Sequence, residues 1–165
     1  MLRNPNLIPL SHQHQHALAL CVRIERGVEA GKTDPAPWLA EIEGIYLPEI
    51  AVHFAAEETV VFPAAARLGE LRTLVTDLLS EHGVLRDLFS QAAARQLDAN
   101  GLRRLGQMLS RHIRKEERQL FEGMQRQMSA VELAEIGAAL EKQLAATSDA
   151  CILPSEATAL RPRSE

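Results

Sequence analysis

The chain has 165 residues, of which 46% are hydrophobic and 24% are charged, and its formal net charge is −4. This length and balance predict one soluble globular domain, and they argue against nucleic-acid binding because no basic face with interleaved aromatic residues appears. The apolar runs are too short to span a bilayer, the N-terminus lacks a signal-peptide core, and Cys21 and Cys151 form no disulfide framework. We therefore expect a cytoplasmic protein without membrane partners.

Helix-favouring residues dominate the chain, whereas aromatic residues make up only 4% of it. Ser11 and Asp34 are the expected N-caps of the first two helices, with Pro35 at the first position of the second. Ser129 and Glu132 predict a capping box for the fifth helix. The expected helices cover about residues 11–31, 34–68, 70–96, 101–128 and 130–146.

Long helices with short connections predict an all-α fold, an up-down antiparallel four-helix bundle followed by a short fifth helix. Pro48 and Pro63 lie within the second helix, and each removes a backbone donor, so we expect that helix to bend or restart. We assign residues 1–146 to the bundle. Residues 147–165 are rich in small and polar residues, which predicts a flexible C-terminal tail.

One phrase of the sequence occurs twice. Residues 53–62 read HFAAEETVVF and residues 112–121 read HIRKEERQLF, so that each copy contains His-x-x-x-Glu-Glu. Each copy follows a helix that carries a different histidine, His14 in the first and His82 in the third. The repeat predicts an approximate two-fold arrangement of two helical hairpins.

The repeated residues lie on core-facing stripes, because side chains at i, i+3, i+4 and i+7 share one face of a helix. His82 aligns with the leucines of its own helix, while Glu57 and Glu116 follow the inward-facing His53 and His112 by one turn. Both carboxylates are therefore expected to point into the same interior.

The first helix offers three histidines, His12, His14 and His16. The face through His14 is apolar and includes Cys21, which we interpret as a small core residue. The face through His16 meets Arg23, and the face through His12 meets polar residues. We predict that His14 points inward and keep His16 as the alternative.

Taken singly, a histidine on an apolar face is usually a hydrogen-bonded core residue, and a glutamate one turn later is usually solvated. Together, these residues would bury two carboxylates and four imidazoles with no Lys or Arg on the stripes beside them, which is costly unless a cation is bound. Imidazole and carboxylate donors without thiolate suit iron or manganese, with zinc as an alternative. The number of donors favours two ions, bridged by Glu57 and Glu116.

At these residues the sequence resembles the hemerythrin-like, or HHE cation-binding, family. The resemblance covers about residues 8–146 and is carried by LSHQHQHAL, HFAAEETVVFP, SEHGVL and HIRKEERQLF. It implies an up-down four-helix bundle around a non-haem centre of two iron ions, joined by carboxylates and an oxo or hydroxo bridge. The ligand positions it implies are His14, His53, Glu57, His82, His112 and Glu116.

Ferritin-like di-iron bundles are a different pattern, because they carry Glu-x-x-His on paired helices. Here Leu79 and Leu109 stand three residues before His82 and His112. The chain also departs from oxygen-carrying hemerythrins, which have His-x-x-x-His on the third helix, whereas Arg86 stands four residues after His82. Their His-x-x-x-x-Asp on the fourth helix is replaced by His-x-x-x-Glu.

The missing imidazole leaves a coordination position for water, peroxide or another side chain. Glu58, Glu117 and Tyr46 are the candidates to fill it. Both glutamates lie about 100° away from the ligand stripe on their helices, so we expect them behind the ligands or at the surface. Tyr46 shares the stripe of His53, and we expect it to pack in the core.

The leading hypothesis is a binding or sensing protein for dioxygen, nitric oxide or peroxide, because no organic substrate site, organic cofactor site or catalytic residue is evident. The alternative is an enzyme that turns over peroxide or nitric oxide, in iron handling or oxidative-stress defence. A third hypothesis is a zinc-stabilised or metal-free helical interaction module. The sequence assigns neither a redox partner nor an oligomeric state.

Overall fold

The computed structural model of the protein describes residues 2–32, 34–145 and Thr158. Within them the chain forms five helical segments and no strand, which confirms the all-α class. The segments are α1 (Ile8–Glu29), α2 (residues 36–66), α3 (Arg72–Ala93), α4 (residues 99–127) and α5 (Ala130–Leu144). Short 3-10 turns at Pro5–Leu7 and Gly69–Leu71 precede α1 and α3.

The first helix begins earlier than its sequence predicts. It starts at Ile8, with Pro9 in its first turn, where the missing backbone N–H of proline costs nothing. Ser11 therefore lies inside α1 and is not its cap, so that prediction was wrong. The Ser11 hydroxyl instead donates a hydrogen bond to the Glu117 carboxylate at 2.7 Å.

Side chains accept hydrogen bonds from backbone N–H groups at the starts of α2, α4 and α5. The Asp34 carboxylate accepts from the backbone N–H two residues later at 3.0 Å, although α2 begins one residue after Pro35. Ser129 and Glu132 form the predicted capping box of α5. Asp98 caps α4 by accepting from a backbone N–H at 2.8 Å, so this helix begins slightly before its predicted start.

The second helix contains two π turns near its prolines and remains continuous over residues 36–66, so it does not restart. One π turn covers Tyr46–Ile50 around Pro48, and a second covers Glu57–Val61 just before Pro63. In α4 a third covers Glu116–Phe121, where no proline occurs. The last two turns begin at the glutamates of the repeated phrase, and π turns of this kind are frequent at functional sites.

The core consists of two apolar clusters within the described residues. One contains Trp38 and Phe54, and the other contains Phe62 and Phe121. His82 contacts both clusters, because Phe54 stacks on its ring at a centroid distance of 3.9 Å and Phe62 lies at 5.2 Å. The buried histidines and glutamates therefore lie between two apolar clusters that exclude water from both sides.

None of the described helices is both long and apolar enough to cross a bilayer. The predicted C-terminal tail, residues 147–165, lies outside the described residues apart from Thr158. The boundary at residue 146 stays a prediction.

Gly27 is required where α1 meets Trp38. A Cβ atom at this position would lie 2.5 Å from Cζ2 of the buried indole. We expect Gly27→Ala to lower the free energy of unfolding by about 1–2 kcal/mol, because steric overlap outweighs the better helix propensity of alanine. The matched control is Gly83→Ala on α3, where a Cβ meets nothing within 4 Å; it should raise stability by about 0.5–1 kcal/mol. Urea denaturation measures both, and equal effects of the two substitutions would contradict this packing.

The buried thiol of Cys21 should be unreactive in the folded protein. Cys21 is 4% exposed where α1 packs on α4, and burial raises the pKa of its thiol to about 12. At pH 8 the reactive thiolate is therefore scarce as well as shielded. We expect iodoacetamide to leave the Cys21 peptide unmodified in native protein and to modify it fully in urea, as measured by mass spectrometry. Comparable labelling in the two conditions would show that α1 and α4 separate readily.

Candidate metal centre

The structure brings together all six side chains that were predicted as metal ligands. They come from four helices, and each is at most 5% exposed. The set is His14 on α1, His53 and Glu57 on α2, His82 on α3, and His112 and Glu116 on α4. His16, the alternative in the first helix, is 56% exposed at its side chain and lies outside the set.

The four imidazoles form two pairs with their Nε2 atoms facing each other. His14 Nε2 lies 3.0 Å from His53 Nε2, and His82 Nε2 lies 3.0 Å from His112 Nε2. Two imidazole lone pairs at this distance repel unless a proton or a cation lies between them. Each pair is therefore suited to share one positive ion.

The two carboxylates each extend across both imidazole pairs. Glu57 places one oxygen 3.2 Å from His53 Nε2 and the other 3.4 Å from His82 Nε2. Glu116 places one oxygen 3.1 Å from His112 Nε2 and the other 3.2 Å from His14 Nε2. This arrangement creates two groups of four donors, each with mutual distances below 4.8 Å, and both glutamates belong to both groups.

The carboxylate oxygens lack the partners that burial requires. All four oxygens of Glu57 and Glu116 are buried and have no hydrogen bond from the part of the chain that the structure describes. Leaving a carboxylate in this state costs several kcal/mol. Donor atoms that each lie about 2.1 Å from one ion are about 3 Å from their neighbours, which matches the nitrogen–oxygen distances. The donor set therefore fits metal cations.

The pKa values of the buried histidines and glutamates also indicate that this centre favours positive charge. Burial lowers the pKa of His14, but contacts with Glu116 and Glu117 outweigh burial and raise this pKa to about 9. Burial likewise lowers the pKa of His112, but contacts with Glu116 and Glu81 raise it to about 10. Burial raises the pKa of Glu57, yet His53 and His82 hold it well below its usual range. Without a cation, the centre retains protons to balance its carboxylates.

Each imidazole is also held from behind at its Nδ1 atom. The partner of each imidazole lies on another helix, where it stands next in sequence to one of the six predicted ligands. We call the six predicted ligands the inner residues and these four partners the outer residues. The pairs are His14 with Glu117 at 2.7 Å, His82 with Glu58 at 2.7 Å, His112 with Glu81 at 2.9 Å, and His53 with Gln13 at 2.8 Å. A hydrogen bond from Nδ1–H fixes the tautomer and turns the Nε2 lone pair towards the centre.

Three of these outer partners are carboxylates, and a cation anchors each one. Arg3 pairs with Glu117, Arg86 pairs with Glu58 at 2.8 Å, and Lys115 pairs with Glu81. Burial raises the pKa of Glu117, but His14 and Ser11 outweigh it and lower the pKa to about 2. The hydrogen bond from His112, opposed by burial and supported by Lys115, lowers the pKa of Glu81 to about 2. These carboxylates are therefore ionised at neutral pH.

The sequence correctly anticipated some of this outer layer. Glu58 and Glu117 lie behind the predicted ligands, and Tyr46 packs against Phe89 with ring centroids 4.4 Å apart. It missed Gln13 and Glu81, whose partners lie on neighbouring helices. Each stands directly before a predicted ligand in the sequence, His14 or His82, and this position was the signal that could have identified them.

A small cavity adjoins the centre between α1, α2 and α4. Its volume is about 10 Å³, on the scale of one water molecule. Its walls include Gln13, Ala17 and the buried carboxyl group of Glu49. Glu49 stands four residues before His53, on the same helical stripe, and the sequence analysis missed it. The cavity is too small for an organic substrate.

Comparison with known proteins identifies the family of this chain. The family model described as the hemerythrin HHE cation binding domain matches residues 9–123, more than half of the chain. The match spans all six residues of the inner set. Searches of curated proteins and of solved structures returned no match. The chain therefore belongs to the hemerythrin HHE cation-binding domain family.

Proposed function

We propose that this protein is a hemerythrin-like non-haem di-iron protein that binds dioxygen, nitric oxide or peroxide, built as an up-down four-helix bundle. The observation that carries the proposal is the pair of buried carboxylates, Glu57 and Glu116, whose four oxygens have no hydrogen-bond partner among the described residues. His14 and His53 would hold one ion, and His82 and His112 the other. Both glutamates would bridge the two ions.

The donor chemistry favours iron. Imidazole and carboxylate donors without thiolate suit iron and manganese, with zinc as an alternative, and Cys21 belongs to neither group of donors. A bound pair of iron ions supplies Lewis acidity and redox chemistry.

The chain's own residues are arranged to bind a small molecule. The outer side chains fix the orientation of the four imidazoles, while Phe54, Phe62 and Phe121 pack against them and exclude water. The adjoining cavity of about 10 Å³ is on the scale of one water molecule, so the space beside the centre suits only a very small ligand. These features support binding or sensing as the function.

Turnover of peroxide or nitric oxide is the second candidate, and Glu49 favours it. This carboxyl group is 5% exposed, lines the cavity, and contacts the half-exposed His16 at 3.3 Å. A buried acid beside a ligand cavity can exchange protons with a bound reactant. Peroxide consumption by the iron-loaded protein that falls at least tenfold in Glu49→Gln would favour this enzyme over a pure binding protein.

Metal analysis tests the proposal most directly. We expect protein purified without added metal and then loaded anaerobically with Fe(II) to contain two irons per chain. After oxidation, azide should produce a visible charge-transfer band. Chelation should abolish the band and lower the melting temperature, because metal binding stabilises the folded state. A colourless, iron-free protein with the same melting temperature after chelation would instead support a helical interaction module.

The bridging role of the inner glutamates can be separated from the role of the outer ones. We expect Glu57→Gln and Glu116→Gln, which remove charge but little volume, to reduce iron to less than one ion per chain. The matched variant Glu58→Gln should still bind two ions in excess metal, with about 10–100-fold weaker affinity, because it weakens the hydrogen bond behind His82 and the ion pair with Arg86 but leaves the inner donors in place. Metal content after desalting measures all three variants. Equal losses would mean that the inner glutamates do not bridge.

A further inference from the structure

We propose that the protein has a second binding site, a pocket between α1 and α4 that takes one small doubly charged oxyanion, either phosphate or a phosphomonoester. Arg103, Arg111 and Arg114 line this pocket and would hold the anion. Among the described residues, none lines both this pocket and the small cavity beside the metal centre. The inference therefore does not depend on what the metal centre binds.

The arginines share one face of α4. The pocket residues of this helix recur at intervals of three and four positions, which places their side chains along one stripe. At about 100° per residue, this stripe lies roughly opposite the face that carries His112 and Glu116. The stripe consists of Arg103, Gln107, Ser110, Arg111 and Arg114. The same helix thus presents metal donors to the core and a row of arginines towards the outside.

The pocket lies where α1 and α4 pack closely. A Cβ atom on Gly106 would already contact the backbone oxygen of Cys21 at 3.6 Å. Cys21 is 4% exposed and forms the innermost surface, while Val22 and Glu25 form the wall on α1. The volume is about 120 Å³. At roughly 10–15 Å³ for each water-sized position, this space admits several waters or one tetrahedral oxyanion.

The positive charge of the pocket is not balanced by ion pairs. Among the described residues, none of its three guanidinium groups has a carboxylate within 4.0 Å, whereas five other arginines do. Arg111 donates to Met108 Sδ at 3.6 Å, and this weak acceptor carries no charge. Arg111 and Arg114 stand three residues apart, a spacing at which like charges on a helix repel each other. An anion bound between them would remove that repulsion.

The side chains of the pocket favour a phosphate group. A guanidinium group is a planar fork whose N–H donors match the oxygens of phosphate, and Ser110 and Gln107 add neutral donors beside it. Three arginines and the carboxylate of Glu25 leave a net charge of +2, which a phosphate dianion balances. None of the described residues that line the pocket is aromatic, so a nucleic-acid base would have no ring on which to stack.

Calorimetric titration of the full-length protein with sodium phosphate tests the site. We expect one phosphate per chain, bound at least about tenfold more weakly when the ionic strength is raised from about 50 mM to about 500 mM, because salt screens exposed charges. Arg111→Gln and Arg114→Gln should each weaken binding by about tenfold or more, since each removes a charge-assisted hydrogen bond. Arg104→Gln is the matched control, with the same loss of charge on an exposed residue of α4 outside the pocket. Its affinity should stay within about twofold of the wild type.

Glu25→Gln tests the site in the opposite direction. Removing this exposed carboxylate should tighten phosphate binding by about threefold or more, because it no longer repels the anion. A gain of affinity cannot arise from a loss of folding, and circular dichroism verifies that the arginine variants are folded. Unchanged or weaker binding in Glu25→Gln would overturn the assigned position.

Glycerol 3-phosphate distinguishes the two sources of the phosphate group. Binding at least as tight as that of inorganic phosphate would identify a phosphomonoester site, and binding at least tenfold weaker would identify a site for the free anion; both results support the inference. The absence of saturable binding of either anion would overturn it, as would equal affinities in the wild type, Arg111→Gln and Arg114→Gln.

The outcome is separable from that of the proposed di-iron function. Phosphate that entered the metal centre would change the visible spectrum of the iron-loaded protein and would be insensitive to the arginine substitutions, which would overturn only the pocket. Arginine-dependent phosphate binding by a protein that takes up no iron would support the pocket and overturn the proposed function.

Discussion

Two carboxylates buried without hydrogen-bond donors constrain the rest of this protein. Glu57 and Glu116 lie between two apolar clusters, and their oxygens accept no hydrogen bond within the described chain, although imidazole Nε2 atoms lie 3.1–3.4 Å away. Such groups are tolerated only where positive charge is available to them. Imidazoles provide that charge as protons in the metal-free state and can exchange it for a metal. The centre therefore requires positive charge, and the side chains around it supply that charge only when the imidazoles are protonated.

The permanent cations are kept away from the centre. Arg3, Arg86 and Lys115 pair with the outer carboxylates, one layer beyond the imidazoles. From the centre outwards the layers are thus carboxylate, imidazole, carboxylate or amide, and then cation. A lysine or arginine placed directly against Glu57 would neutralise it and remove its capacity to bind metal. Holding these cations further out anchors the imidazoles while leaving the inner carboxylates to a metal ion.

The part of the site that the sequence predicted is the part fixed within single helices. A spacing of four residues places Glu57 beside His53 and Glu116 beside His112, whatever the rest of the fold does. Gln13 and Glu81 were missed because each bonds to an imidazole on another helix, and those contacts depend on how neighbouring helices are rotated. Helix periodicity alone does not determine that rotation.

Local signals also failed where tertiary contacts compete with them. Ser11 has the chemistry of an N-cap, but its hydroxyl bonds to Glu117 across the interface between helices. The π turns at Glu57–Val61 and Glu116–Phe121 have no shared proline signal, since only the first is followed by a proline. Both begin at an inner glutamate, which links the backbone irregularity to the site and not to helix propensity.

A repeated sequence would build two equal halves, and the side chains around this centre depart from that equality. Gln13 stands where the other half of the centre has the carboxylate of Glu81, and the buried Ala17 stands where the other half has Leu85. Both fall on α1, and Phe54, which stacks on His82, corresponds to Ile113 in the second copy of the repeat. Helix spacing therefore determines the inner set, whereas the side chains packed around it differ between the two halves, because His53 bonds to α1 and His112 bonds to α3.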